Sequence, residues 1–123
     1  MKNSRTRAVI WDMDGVIVDT AEHHFNSWRY AFRLQGVTFT REDFQQVFGQ
    51  RNDTIISKIM AGNVTREKMD RIALDKEENF RQIVKNDLRP LPGVIALLTT
   101  IKDNGILSAV ASSAPLENIR LVL

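Results

Sequence analysis

The chain has 123 residues, 43% of them hydrophobic and 26% charged, with 17 basic against 15 acidic side chains and a net charge of +2. This is the composition of one modest soluble globular domain, without the basic excess of a nucleic-acid-binding surface or the apolar tract of about 20 residues that a membrane span needs. Cysteine is absent, which excludes disulfides, thiolate metal sites and a cysteine nucleophile and suits the cytoplasm; the short apolar run before Asp12 does not make a signal peptide.

The first element is AVIW, residues 8–11, short, apolar and partly β-branched, the pattern of a parallel strand buried on both faces. It runs straight into Asp12 and Asp14, with Gly15 behind them. Carboxylates beside a buried strand are costly unless they are paired or bind a cation, so chemistry is expected at this point. From Thr20 the spacing turns helical: Ala21, Phe25, Trp28 and Phe32 share a face, and Gly36 stops the helix. Thr40 and Asp43 form a capping pair for a second helix, with Phe44, Val47 and Phe48 on one face and Gly49 at its end. Asn52 or Asp53 caps a third helix that carries Ile55, Ile56, Ile59 and Met60 and closes at Gly62. Thr65 opens a longer fourth, with Met69, Ile72, Ala73, Phe80, Ile83 and Val84 as its apolar stripe and charged residues over the rest. Pro90 and Pro92 break helix in LRPLPG, residues 88–93, which reads as a linker. Another helix follows, with Val94, Leu97, Leu98 and Ile101 inward and Gly105 behind it; residues 106–111 read as a second buried strand, and Pro115 opens a final helix.

The expected fold is therefore α/β: an incomplete core of two parallel strands, residues 1–19 and 88–123, interrupted by a four-helix insertion over residues 20–87. A two-stranded parallel sheet is not a stable domain by itself, and the last three residues, Leu121, Val122 and Leu123, are apolar. The expectation is that more of the core follows Leu123, and that the uncovered sheet edge or the last helix offers a surface for self-association.

In an open parallel sheet, ligands bind at the carboxyl ends of the strands. Two such ends carry polar groups here, Asp12-Met13-Asp14-Gly15 and Ser112-Ser113. Asp12 faces the crevice, Asp14 points back from the loop, and Gly15 permits the turn that brings peptide N–H groups near an anion. Paired carboxylates of this kind suit phosphoryl transfer: one attacks phosphorus, while the other protonates the leaving oxygen and then deprotonates the incoming water or alcohol. The charge involved calls for a divalent cation, and carboxylate and carbonyl oxygens are the ligands magnesium prefers. Met13, Gly15, Ser112 and Ser113 are the candidate phosphate contacts, assisted by the helix start after Pro115. A calcium loop of the EF-hand type is excluded, since Ile17 and His23 stand where it needs glycine and glutamate. His23 and His24 are adjacent and point apart, so they make no zinc pair; Arg51 and Lys76 read as surface charges, and Trp28 and Phe32 as core.

WDMDGVIVDT resembles the first signature of the haloacid dehalogenase superfamily, D-x-D-G-x-x-x-D-[ST], and AVASSAP is similar to the second. The helical insertion resembles that family's helical cap, and TAEHHFNSW, FGQRND and LRPLPGV look like the β-phosphoglucomutase-like phosphatase branch. The resemblance implies a Rossmann-like core in which Asp12 is nucleophile and magnesium ligand. Asp14 is the general acid/base, with its carbonyl also on the metal, and Ser112 binds phosphate. Thr20 falls at the core–cap hinge, while His24, Lys76 and the loop Gly49, Gln50, Arg51 and Asn52 fall at cap positions. The mutase has an arginine three residues after the glycine matching Gly49; here Asn52 stands there and Arg51 one earlier. The third signature, a lysine or arginine, and the fourth, an acidic pair, have no counterpart in these residues; Lys102 precedes the second strand and is no substitute. The implied activity is a magnesium-dependent phosphatase acting on a small phosphorylated metabolite, a sugar phosphate, through an aspartyl-phosphate. A β-phosphoglucomutase-like mutase and a catalytically incomplete fragment are the alternatives, and Asp14 argues against a dehalogenase.

Overall fold

The structure is a computed structural model that describes residues 5–123. Its elements in chain order are β1 (Ala8–Trp11), α1 (Ala21–Leu34), α2 (Arg41–Val47), α3 (Asn52–Ile59), α4 (Arg66–Asp87), α5 (Val94–Asp103), β2 (Leu107–Val110) and α6 (Leu116–Val122). They group into two units, one of Met1–Thr20 with Leu88–Leu123 and one of Ala21–Asp87.

In the first unit β1 and β2 pair in parallel, Ala8 opposite Leu107 and Trp11 opposite Val110. The amide of Ala111 donates to the Trp11 carbonyl at 2.8 Å, which carries the ladder one step past β2. Met13, Ile17, Val18 and Val94 form the buried core of this unit, with Trp11, Leu91, Leu98, Val110 and Ile119 packed against it. The sheet departs from the expected burial on both faces. Side chains alternate across a strand; Trp11 and Val110 meet the core, whereas Ile10 and Leu107 are 74% and 60% exposed. On α5 Leu97, expected inward, is exposed, while Val94 and Ile101 are buried. Among the described residues, one apolar face of this unit has a cover and the other has none.

The helical unit has the better-filled core. Phe25, Trp28, Ala31 and Phe32 of α1 pack with Phe39, Val47, Ile55, Ile56 and Ile72. Thr40 and Asp43 make the reciprocal cap read from their spacing: the Asp43 amide donates to Thr40 Oγ1 at 3.1 Å, and the Thr40 amide to Asp43 Oδ2 at 2.9 Å. Thr40→Ala is expected to lower stability by about 1 kcal/mol. Urea unfolding checks this, and an unchanged midpoint would show that α2 is held by packing alone. Arg41 donates to the Glu22 carboxylate and lies over the Phe25 ring at 4.4 Å. That hydrogen bond holds the Glu22 carboxyl below its ordinary range.

Two expectations fail in this unit. Neither Asn52 nor Asp53 caps α3: Arg51 stands at the N-cap without a side-chain bond, and Asn52 is already helical. Its amide is instead directed at Glu77 of α4, 2.9 Å away. The charged side of α4 is not all solvated either, because Asp75, Lys76 and Glu77 are buried along with Ile72, Phe80 and Val84. Among the described residues, no helix is long and apolar enough to cross a membrane.

Candidate active site

Parallel pairing puts the carboxyl ends of β1 and β2 at one end of the sheet. With Trp11 opposite Val110, Asp12 follows beside Ala111, and Ser112 stands one residue further on. Asp12 is exposed, and its Oδ1 accepts the Met13 amide at 2.8 Å. Met13 then buries its side chain, and its carbonyl accepts the amides of Val16, Ile17 and Val18 at 3.2, 2.9 and 3.3 Å. This winds residues 13–18 into a compact turn. Gly15 sits in it at φ 75°, where a side chain would be strained.

Asp14 leaves the turn half-buried, and its Oδ1 accepts a hydrogen bond from Thr20 Oγ1. Thr20 is 1% exposed. The family resemblance implied a hinge position for Thr20; the turn between them gives it a direct hold on Asp14. Ser112 Oγ accepts the Ala114 amide at 3.1 Å, and a hydroxyl in that role keeps its proton to donate. Ser113 is exposed beside it. The expected amide cradle differs in detail. The Met13 amide goes to Asp12 and the Gly15 amide to the Val18 carbonyl at 2.7 Å, so both are taken up inside the turn. The turn thus serves to place Asp12 and Asp14.

Both acids offer hard oxygens and no soft donor. Magnesium is commonly held by one or two carboxylates, with water and substrate oxygens completing the shell. The pair fits that role, and among the described residues no cluster of three or more His, Cys, Asp or Glu side chains forms a fuller site.

The helical unit gathers His24, Lys76 and Asn52 into one cluster around Glu77. Lys76 is 2% exposed, which corrects its reading as a surface charge. Its Nζ lies 2.9 Å from Glu77 Oε1 and 3.1 Å from His24 Nδ1, above the rings of Trp28 and Phe80 at 5.2 and 5.1 Å. His24 stacks on Phe80 with centroids 4.2 Å apart. Glu77 also accepts from Asn52, and sequence reasoning missed it. Consecutive helix positions do not face one another, so no periodic signal pairs Glu77 with Lys76; the bond arises because the long lysine chain bends toward its neighbour. The other three loop candidates have different surroundings. Gly49 is exposed at φ 82°, Gln50 Nε2 donates to the Gln46 carbonyl at 3.1 Å, and exposed Arg51 lies 3.5 Å from Asp53.

The profile of the haloacid dehalogenase-like hydrolases matches residues 9–123. The chain is 32% identical over 117 residues to the β-phosphoglucomutase of Bacillus subtilis, covering 88% of this chain and 51% of that one. It is 26% identical to the phosphorylated carbohydrates phosphatase of Thermotoga maritima, covering 92% and 54%. The fold also matches CbbY from Rhodobacter sphaeroides, solved with phosphate, at a TM-score of 0.84 and 22% identity, over 96% of this chain and 56% of that one. A mutant of CbbY has been solved with xylulose-(1,5)bisphosphate, and it matches at a TM-score of 0.82 and 21% identity, over 96% and 56%. The chain spans about half the length of the curated relatives it matches. With its aspartate-bearing turn at the end of a parallel strand and its helical insertion, the chain belongs to the haloacid dehalogenase-like hydrolases.

Proposed function

We propose that the protein acts as a magnesium-dependent phosphatase on small phosphorylated carbohydrates, through an aspartyl-phosphate on Asp12. One observation carries this: Asp12 and a Thr20-held Asp14 leave the same tight turn at the end of β1, next to the end of β2 that leads into Ser112. In this reading residues 1–19 and 88–123 belong to the catalytic core, residues 20–87 are the cap, and the protein works in the cytoplasm.

The Asp12 carboxylate forms a bond to phosphorus as the bond from phosphorus to the substrate oxygen breaks. Asp14, protonated, gives its proton to that leaving oxygen. Asp14, now a carboxylate, takes a proton from the incoming water, which displaces Asp12 and releases inorganic phosphate. Ser112 donates its hydroxyl to a phosphoryl oxygen. Magnesium, when held by the Asp12 carboxylate and the Asp14 backbone carbonyl, would supply charge neutralisation between the carboxylates and phosphate.

Identity to a mutase supports a second reading, in which a sugar hydroxyl takes the phosphoryl group in place of water. The cap loop favours the phosphatase. Asn52, at the position where the mutase carries arginine, is directed at Glu77, and Arg51 lies beside Asp53. His24, Lys76, Gly49, Gln50 and Arg51 remain the cap positions proposed to influence substrate choice. A panel of phosphosugars, assayed with magnesium and with or without a bisphosphate activator, tests this. Phosphate release that is independent of the activator is expected. Activator-dependent isomerisation without phosphate release would establish the mutase, and an absence of magnesium-dependent turnover on every member would overturn both.

A further inference from the structure

His23 and Asp87 stand where the chain enters and leaves the helical unit: His23 is the third residue of α1 and Asp87 the last of α4. His23 Nε2 lies 3.1 Å from Asp87 Oδ2, across 64 residues of sequence. An ionised carboxylate can only accept, so the imidazole N–H donates. The His23 ring is buried and, among the described residues, its Nδ1 has no partner, which leaves Asp87 to orient it. The Ser27 hydroxyl bonds to the carbonyls of His23 and His24, which fastens the turn that carries the ring.

Asp87 is an odd choice for its position. A carboxylate at a helix C-terminus faces the negative end of the macrodipole and weakens its own helix. On the far side of both chain crossings, the Leu91 amide donates to the Ile17 carbonyl at 2.9 Å, and Val18 bridges antiparallel to Pro90. The two crossings are therefore tied at 17–18 with 90–91, and again at 23 with 87.

We propose that the His23–Asp87 contact is a clasp that holds the two ends of the helical unit together and confines backbone freedom in the crossings to residues 19–20 and 88–89. This role explains a carboxylate that α4 alone would not favour. Hydrogen exchange on the intact chain tests it by sign. Asp87 is 71% exposed, so Asp87→Ala keeps the core unchanged. The clasp predicts several-fold faster amide exchange in the last turn of α4 and at residues 25–27, whose amides donate to the carbonyls of the first turn of α1, with α2 and α3 unaffected. Asp87→Asn, which retains an acceptor, should restore part of the protection. A residue that only perturbs its own helix end predicts the reverse: Asp87→Ala relieves the macrodipole, the last turn of α4 exchanges more slowly, and α1 does not respond. Either slower exchange in α4 or unaltered exchange at residues 25–27 of α1 would overturn the clasp.

Discussion

Asp12→Asn is expected to reduce phosphatase turnover by about 10,000-fold or more, on the scale seen when the nucleophile of a cooperating catalytic set is removed. The substitution is nearly isosteric, and the asparagine carbonyl can still accept the Met13 amide that Asp12 accepts. Thermal stability should therefore stay at the wild-type value while the attacking oxygen is lost. Asp14→Asn gives a different phenotype. Loss of a general acid and base costs about 10²–10⁴-fold in turnover, but the two half-reactions do not suffer alike. p-Nitrophenyl phosphate has a leaving group that needs little protonation, so Asp12 is still phosphorylated, and water without a base then fails to release it. Acid quenching after brief exposure to labelled substrate should trap phosphoenzyme in Asp14→Asn and none in Asp12→Asn. Ordinary turnover by Asp12→Asn would remove it as nucleophile, and label trapped on Asp12→Asn would place the covalent step on another residue.

Legibility followed the length scale of each interaction. The strand before Asp12, the Thr40–Asp43 cap and the aromatic stripe of α1 are set by neighbours within a few residues, and periodicity or spacing displays them directly. Family membership was legible for the same reason, since the motif is a contiguous run through Asp12, Asp14, Asp19 and Thr20. Contacts that depend on a tertiary arrangement were not. Ile10 reads as core because it is apolar and β-branched, and only the placement of its sheet face, which none of the described residues covers, reveals its exposure. Asn52 has the composition of a helix cap, but a carboxylate 25 positions away draws its amide elsewhere. Lys76 reads as solvated because lysine usually is. Its burial depends on two rings from α1 and α4 and a carboxylate from the adjacent residue, none of which leaves a periodic trace. Thr20 and Asp14 lie between these cases: both belong to the motif, but their hydrogen bond needs the turn wound on the Met13 carbonyl.

The buried pair gives the largest expected effect on stability. Glu77→Gln leaves the Lys76 ammonium beside Trp28 and Phe80 without its counter-charge, in a place where the two side chains are 3% and 9% exposed. Breaking one side of a buried ion pair costs about 3–5 kcal/mol, because the surviving charge keeps its desolvation penalty. The two aromatic faces offset part of this, so a loss near the lower limit, about 3 kcal/mol, is expected in urea unfolding. Lys76→Met alone should be destabilising too, although less so, since Glu77 still accepts from Asn52. The double variant, Lys76→Met with Glu77→Gln, should recover most of the loss. Methionine fills the space between the rings, glutamine can still accept from Asn52, and no bare charge remains in the core. A coupling well above 1 kcal/mol in that double-mutant cycle identifies an interacting pair. Additive losses, or singles within about 0.5 kcal/mol of wild type, would show that Lys76 is neutralised by something other than Glu77. The cycle also controls the functional experiment: a drop in phosphatase turnover in Lys76→Met counts as a substrate effect only if it persists in the stabilised double variant.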